Sequence, residues 1–368
     1  MRGKAMRTAA MLSIPTLLLS GPRAMLETPL NEAASAYGRV TVQGPSILVN
    51  GRMPSEKFFG AVDPTALPFA ILAYIRGETP YAGKSSLFNG PDTDPGQTRV
   101  APNAAPEEFW DRYFSLLSYY RCNLVRIGAG DSWGTGIMHD AWLDRRSEFT
   151  DLLRTMEARA EAHGVWVVLT LAGSAEHPMY AFGGTGSVFD ARTSAYDGYI
   201  AYARSAMASL SGRRGIAWYD LFNEPDHNSA HAGWWQGHGG KDAFFSWASG
   251  VAADTTGASD HPRTMGVAGL GNMFGWGQED FDLCTGRVPF EIASRHYYAS
   301  NHDANNFIGP EQWARRNNKP LYWGELANNS VYPLVRYTFA EQAIYANGGQ
   351  AITSMVLTGT PNYPYTGT

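Results

Sequence analysis

One short apolar stretch that ends in a carboxylate decides the fold: Ile216-Ala217-Trp218-Tyr219-Asp220-Leu221-Phe222-Asn223-Glu224-Pro225. Its near-continuous apolar character is typical of a parallel strand that is buried on both faces. Asn223 and Glu224 stand at the end of that strand. Because the active sites of parallel barrels lie at the carboxyl ends of the strands, these two residues are the first candidates for a site.

Seven further segments with strand character lie on either side of this one, and helical stretches separate several of them. The eight strands are predicted to open near Phe58, Asn123, Val165, Ile216, Thr264, Phe290, Pro320 and Gln350. Apolar residues with helical spacing fill the ranges 109–120, 149–160 and 196–210. This alternation predicts an α/β protein with a closed (β/α)8 TIM barrel rather than an open doubly wound sheet.

The chain length of 368 residues suits one such barrel, and 44% hydrophobic against 17% charged residues gives ample material for a core. We assign residues 39–368 to the barrel and residues 1–38 to an extension. Within the first part of the barrel domain, Val40, Val42, Ile47 and Val49 alternate around Gly44-Pro45. This pattern predicts a hairpin, which would cap the bottom of the barrel.

Both ends of the chain are unusual for a barrel. Basic Arg2, Lys4 and Arg7 precede an apolar run at residues 9–19, which indicates an export signal and a secreted or cell-envelope protein. A buried N-terminal helix is the alternative, and the run is short for a membrane anchor. Only a short tail follows the eighth strand, so the last barrel helix is predicted to be missing or replaced. Either the chain is truncated there, or the N-terminal run fills the groove.

Composition excludes several classes of protein. The net charge of −5 and the scattered basic residues leave no footprint for nucleic acid. Cys122 and Cys284 lack metal-ligand spacing, and the glycine-rich loop at 128–134 misses the dinucleotide fingerprint, so no metal and no cofactor is predicted. The histidines at positions 227, 231 and 238 have no carboxylate at a known ligand spacing. A monomer is expected.

A second carboxylate ends the seventh strand, Leu321-Tyr322-Trp323-Gly324, at Glu325. Glutamates at the tops of the fourth and seventh strands face each other across a barrel mouth. Cleavage of a glycosidic bond needs such a facing pair of carboxyl groups. The alternative for each residue alone is a solvated loop carboxylate.

With these motifs in register, the sequence resembles glycoside hydrolase clan A, nearest to its cellulase and mannanase family five. The resemblance implies that Glu224 is the general acid/base, Glu325 is the nucleophile and Asn223 binds the sugar 2-hydroxyl. It also implies that Arg126, on the second strand, braces the nucleophile.

A His-x-Tyr motif on the sixth strand, His296 and Tyr298, is similar to the family pattern as well. These two residues share one strand face, and the resemblance implies that the tyrosine contacts the nucleophile while the histidine contacts the acid/base or the sugar.

Two strand ends depart from the family pattern. The third strand ends in Ala172-Gly173-Ser174 where the family usually carries a histidine, and the eighth strand lacks the family's tryptophan. Trp323, two residues before Glu325, is predicted to share its inward face and so is a substitute platform for the sugar or, equally, a core residue. Trp133 is a further candidate sugar contact, with a packed loop position as the alternative.

The sequence therefore predicts a retaining β-glycoside hydrolase that acts on a β-linked polysaccharide or oligosaccharide. A catalytically weak carbohydrate-binding barrel is the alternative if the departures at the third and eighth strands mean a collapsed cleavage subsite. A barrel lyase or aldolase would need a lysine at a strand end for Schiff-base chemistry, and the strand ends found here offer none.

Overall fold

The structure is a computed structural model that describes residues 37–64, 66–77, 105–119, 121–128, 137–173, 182–226, 228–268, 286–298, 305–327 and 344–354. Eight parallel strands form one sheet in the order β7-β6-β5-β4-β3-β10-β9-β8, which curls into a nearly closed barrel. They are β3 (Phe58–Asp63), β4 (Leu124–Gly128), β5 (Trp166–Thr170), β6 (Ile216–Asn223), β7 (Arg263–Gly266), β8 (Ala293–Tyr298), β9 (Leu321–Ala327) and β10 (Ala351–Ser354). The predicted TIM barrel is confirmed.

The two edge strands, β7 and β8, meet through hydrogen bonds that lie outside the regular ladders. The backbone N–H of Ile292 donates to Arg263 O at 3.1 Å, and that of His296 donates to Val267 O at 3.0 Å. The Thr264 hydroxyl adds a bond to Ile292 O at 2.9 Å. These contacts bring the end of β8 against the end of β7, so residues from both strands reach the same mouth.

Helices pack around the outside of the barrel. They are α1 (Ala66–Ile71), which continues into a π-helical turn at Leu72–Arg76, α2 (Pro106–Tyr119), α3 (Ile137–Asp144), α4 (Arg146–Ala162), α5 (Ser194–Ser209), α6 (Asn228–Gly237), α7 (Gly240–Asp254) and α8 (Asn305–Arg316). The three predicted apolar stripes fall on α2, α4 and α5. On α4 the stripe Phe149, Leu152, Leu153, Met156 and Ala160 is buried, because its helical spacing places all five on the face towards the sheet.

Seven of the eight strands begin within one residue of the position predicted from the sequence. The exception is β8, which begins at Ala293 rather than near Phe290. Phe290 is buried in the core layer with Phe244 and Met265, so its apolar character reflects packing that precedes the strand.

The predicted hairpin is present as β1 (Val40–Gln43) and β2 (Ser46–Val49), which pair antiparallel. Gly44 begins the two-residue turn at a φ of 54°, which a residue without a Cβ adopts readily. Val40, Ile47 and Val49 pack in one cluster with Trp166 and with other residues at the starts of the strands. The hairpin therefore caps the bottom of the barrel, as predicted.

Several sequence predictions concern residues outside the described ranges. They are the export signal within the first 36 residues, Trp133, Cys284, His227 and the tail at residues 355–368. Within the described residues, no helix combines the length and the apolar character needed to cross a membrane.

Candidate active site

Arg126 forms the centre of the polar cluster at the barrel mouth. It lies on β4 and is 2% exposed. Its Nη1 donates to Glu325 Oε1 at 2.6 Å and its Nη2 donates to Asn223 Oδ1 at 2.7 Å. Burial alone would lower the pKa of Arg126, but the negative charges of Asp220 and Glu325 raise it above its ordinary value. The guanidinium is therefore a fixed cation, and it holds one carboxylate from β9 and one amide from β6.

Asp220, which is not among the predicted site residues, fixes Arg126. It is fully buried on β6, and its Oδ2 accepts Arg126 Nε at 3.0 Å and Nη2 at 2.6 Å. Its Oδ1 accepts the backbone N–H of Gly266 at 2.8 Å. An aspartate inside an otherwise apolar buried strand is the signal that would have found it, because such a charge needs a partner.

Glu224 follows the last residue of β6 with its backbone in the left-handed region, at a φ of 48°. Such a conformation costs a residue with a Cβ about 1–2 kcal/mol, so the neighbours must hold it. The backbone N–H of Glu224 donates to Gly266 O at 2.6 Å. Its side chain is 18% exposed, whereas that of Glu325 is 9% exposed. Both carboxylates therefore reach the surface of the mouth, and Glu224 reaches further.

His296 lies under both glutamates. Its Nδ1 is 2.7 Å from Glu224 Oε1 and 3.6 Å from Glu325 Oε2. Burial acts to lower the pKa of His296, but the charge of Glu325 and the hydrogen bond and charge of Glu224 raise it overall. A Cβ on Gly266 or on Gly324 would come within 2.9 Å of His296 Nε2, so these glycines leave the room that the imidazole occupies.

The end of β5 approaches the site closely at Gly173. This residue has a φ of 140°, and a Cβ there would lie 2.5 Å from the Cβ of Asn223. The strand end that departs from the family pattern is therefore also the place where the backbone packs directly against Asn223.

The prediction that Trp323 shares the inward face with Glu325 is wrong. The pairing of β8 with β9 shifts between Arg295–Trp323 and His296–Glu325, so Gly324 is an extra residue in β9. A bulge of this kind turns the residues on its two sides to opposite faces. Trp323 is fully buried, donates its Nε1–H to Glu311 Oε1 on α8 at 2.9 Å and packs on Phe307. It is a core residue outside the barrel wall.

The structure describes only some of the other residues that were predicted to contact the substrate or a metal. The backbone of Tyr298 ends β8 two residues after His296, and its side chain is not among those described. Trp133 lies outside the described residues. His231 is buried with its Nδ1 3.1 Å from Glu224 O, while His238 lies at the surface, stacked on Trp234. The two histidines therefore make separate contacts in the structure.

No protein-family model matches the chain, and no curated protein sequence matches it either. Solved structures, in contrast, do match the chain. A β-glucanase from Saccharophagus degradans aligns with a TM-score of 0.54 at 13% identity over 90% of this chain and 88% of that one. The similarity is one of fold.

Two mannanases align in the same way. An endo-β-1,4-mannanase from Thermotoga petrophila gives a TM-score of 0.52 at 13% identity over 83% of this chain and 68% of its own. A β-mannanase from Streptomyces thermolilacinus gives 0.50 at 15% identity over 88% and 87%. β-Glucanases and β-mannanases are the kinds of enzyme that the sequence resemblance named, so the resemblance is confirmed for the fold.

Glu224, His296 and Glu325 each offer a ligand atom within 4.8 Å of the other two, which makes them the one group in the described residues with the spacing of a metal site. The Arg126 guanidinium already contacts Glu325, however, and would repel a second cation. The arrangement suits a different chemistry. One carboxylate is paired with a permanent cation and the other with an imidazole, so the two are equipped for different roles in the same reaction.

Proposed function

We propose that the protein is a retaining β-glycoside hydrolase, with Glu325 as the nucleophile and Glu224 as the general acid/base. The observation that carries the proposal is the short separation of the two carboxylates: an oxygen of Glu224 and an oxygen of Glu325 lie within 4.8 Å of each other. Retaining enzymes hold their carboxyl groups about 5 Å apart, whereas inverting enzymes need about 6.5–9.5 Å to admit a water molecule between them.

The surroundings of each carboxylate support the assignment of roles. Arg126 stabilises negative charge on Glu325, which a nucleophile must carry before it attacks. Glu224 is the more exposed of the two, and its partner His296 can share a proton with it. A group that gives a proton to the leaving sugar and later removes one from water needs such access.

The reaction then proceeds in two displacements. Glu325 attacks the anomeric carbon and forms a glycosyl ester, while Glu224 gives its proton to the departing glycosidic oxygen. In the second step Glu224 takes a proton from a water molecule, the water oxygen attacks the same carbon, and Glu325 leaves as a carboxylate. Two inversions at one carbon give net retention.

Asn223 is suited to bind the substrate next to this centre. Its Oδ1 accepts a hydrogen bond from Arg126, which has donors only, so the amide nitrogen points the other way. That nitrogen can donate to a sugar hydroxyl. Hydrogen bonds to the 2-hydroxyl strengthen as the oxocarbenium-like transition state develops, and we assign this contact to Asn223.

The fold relatives direct the choice of substrate towards β-linked glucans and mannans. Soluble β-glucan, β-mannan and xylan should each be incubated with the protein, and the products separated by size. Proton NMR during the first minutes should show the β-anomer of the new reducing end before mutarotation, since retention predicts it.

The Glu224→Ala/Glu325→Ala double variant is the matched control for contaminating activity. An initial α-anomer would contradict the retaining mechanism. Binding of these polysaccharides by the wild type without any cleavage would favour the carbohydrate-binding barrel instead.

We also propose that the protein acts outside the cytoplasm, in the medium or the cell envelope. The support is the order of charges and apolar residues in the first 19 residues, basic and then apolar. Expression with export should yield active protein that lacks this run, as measured by intact-mass spectrometry. An intact N-terminus on active, soluble protein would contradict a cleaved signal.

A further inference from the structure

Asp226 is a buried carboxylate that the proposed mechanism does not use. It lies two residues after Glu224 and is fully buried. Its Oδ1 accepts the backbone N–H of Ala268 at 2.8 Å, just beyond the end of β7. Its Oδ2 is buried without a hydrogen-bond partner among the described residues, which is unusual for a carboxylate oxygen.

The Asp226 bond is the second of two that attach the Glu224 turn to the same segment. The first runs from the N–H of Glu224 to Gly266 O at 2.6 Å. The two bonds lie on either side of Pro225, and the backbone between them includes the left-handed conformation of Glu224. A strained conformation persists only where its surroundings hold it, and these two bonds contribute to that hold on the side of β7. On the side of α6, the Trp235 Nε1–H donates to Pro225 O at 2.8 Å and His231 Nδ1 lies 3.1 Å from Glu224 O.

We propose that Asp226 is a positioning residue that keeps the Glu224 turn against the end of β7 and so keeps the general acid/base aimed at the glycosidic oxygen. Because Asp226 is fully buried, it acts through Glu224 and not through the substrate. The inference rests on the proposed function and adds a residue to it.

The electrostatics of the site agree with this role. The pKa of Asp226 is raised to about 6, mainly by burial and in part by the charge of Glu224, while the hydrogen bond from Ala268 and the charge of His296 oppose the rise. The hydrogen bond from Ala268 is accepted by Oδ1, and the amide oxygen of an asparagine, a neutral group of the same shape, can also accept it. Asparagine should therefore replace Asp226 in this role, whereas alanine should not.

The test compares Asp226→Ala and Asp226→Asn on two aryl β-glycosides, one with a good leaving group and one with a poor leaving group. General acid catalysis accelerates bond cleavage by about 10²–10⁴-fold where the leaving group needs a proton. We expect Asp226→Ala to lose about 10²-fold in kcat/KM on the poor leaving group and less than about threefold on the good one. Asp226→Asn should restore most of the activity on both.

Azide provides a second readout that general damage to the fold would not produce. If Glu224 is misplaced it also fails as the base in the second step, so azide should accelerate turnover of the activated glycoside by Asp226→Ala but not by the wild type. Glu157→Ala is the matched control. Glu157 is another buried carboxylate that accepts a backbone N–H, that of Gly215 at 2.9 Å, on the side of the barrel away from the mouth.

The Glu157→Ala variant should lose stability without any dependence on the leaving group. Equal losses on both substrates by Asp226→Ala, without a response to azide, would overturn the inference. If Asp226→Ala does not fold, Ala268→Pro removes the same hydrogen bond from the donor side and must show the same leaving-group dependence. A wild type that cleaves no β-glycoside would instead overturn the proposed function, and the inference with it.

Discussion

Arg126 and Asp220 form a buried ion pair in which Nε and Nη2 both contact Oδ2, at 3.0 and 2.6 Å. The pair fixes the plane of the guanidinium, so Nη1 is left to point at Glu325. A lysine offers one point charge and cannot make these contacts together. The pair therefore sets both the charge and the direction of the group that contacts the proposed nucleophile.

Replacement of Arg126 should remove most of the activity. In Arg126→Ala both Asp220 and Glu325 lose their cation inside the protein, and breaking a buried pair costs about 3–5 kcal/mol of stability. We expect kcat to fall by about 10²-fold or more because the nucleophile loses its orientation as well. Arg126→Lys keeps the charge and separates the two effects. Near-normal turnover by a folded alanine variant would reject the role of Arg126.

The two glutamate variants should differ from each other. Glu325→Ala should be inactive on every glycoside, because no second nucleophile is available to form the glycosyl-enzyme. Glu224→Ala should fail mainly on unactivated glycosides, and on an activated substrate it should accumulate the intermediate. Azide should convert that intermediate to a β-glycosyl azide, identified by NMR. Either an α-glycosyl azide or equal losses by both variants on both substrates would show that these role assignments are wrong.

A methyl group on Gly266 should damage the site while both proposed catalytic glutamates are kept. The new Cβ would lie 2.9 Å from His296 Nε2 and 3.0 Å from Asp220 Oδ2, and overpacking of this kind costs about 1–3 kcal/mol. We expect Gly266→Ala to lower kcat about tenfold or more and to lower the melting temperature.

The control for Gly266→Ala is Gly233→Ala on α6. Gly233 is exposed, and a Cβ there would meet nothing within 4 Å. Its kcat and melting temperature should match the wild type or improve. Equal kinetics of the two variants would show that His296 does not need its present position.

Glu311 should make the stability of the protein depend on pH. Burial raises its pKa to about 8 from an ordinary 4.5, although the hydrogen bond from Trp323 and the charges of Arg315 and Lys57 oppose the rise. The folded state therefore keeps a proton that the unfolded chain releases. The contribution of the Glu311 proton to the stability of the fold is complete below pH 4.5. It is lost as the pH rises through the folded pKa of about 8.

The test of Glu311 is chemical denaturation at about pH 5 and about pH 8. Between these two pH values the free energy of unfolding of the wild type should fall by on the order of 3 kcal/mol more than that of Glu311→Gln, because the glutamine cannot ionise. Parallel losses in the two proteins would mean that Glu311 is already ionised in the fold.

Trp323→Phe should affect stability and leave substrate binding unchanged. The variant removes the Nε1–H that Glu311 accepts and leaves a buried carboxyl oxygen without that donor, which costs about 1–3 kcal/mol. KM for a soluble β-glucan or β-mannan should stay within about twofold of wild type, because the ring lies outside the barrel wall. A KM raised several-fold would indicate that Trp323 belongs to the sugar-binding surface.

Most of the fold could be predicted from the sequence because barrel strands are buried on both faces and read as short apolar runs. The pairing of Glu224 with Glu325 followed from the same rule, since parallel strands end at one rim. The face of Trp323 could not be predicted. The alternation rule assumes a regular strand, and the extra residue at Gly324 becomes visible only in the pairing of β9 with β8.

The supporting carboxylates were missed for a related reason. Asp220 and Asp226 belong to the same short stretch as Glu224, but their importance comes from partners on β4 and beyond β7 that are distant in sequence. A sequence pattern shows that a buried aspartate needs a partner, and only the packed barrel shows which one. Gly173 departs from the family pattern in the sequence, and in the structure it is a point of close contact with Asn223.

The cap at the bottom of the barrel joins the two ends of the described chain. The side chain of Gln350 accepts the backbone N–H of Ile47 at 2.7 Å and donates to Ile47 O at 3.0 Å, across 303 residues of sequence. During synthesis the hairpin therefore emerges about 300 residues before Gln350, and these two bonds can form only after Gln350 has left the ribosome. Until then the cap lacks the two bonds that tie it to the last strand, so we expect the apolar residues at the starts of the strands to be less securely covered and the nascent barrel to be more prone to aggregate.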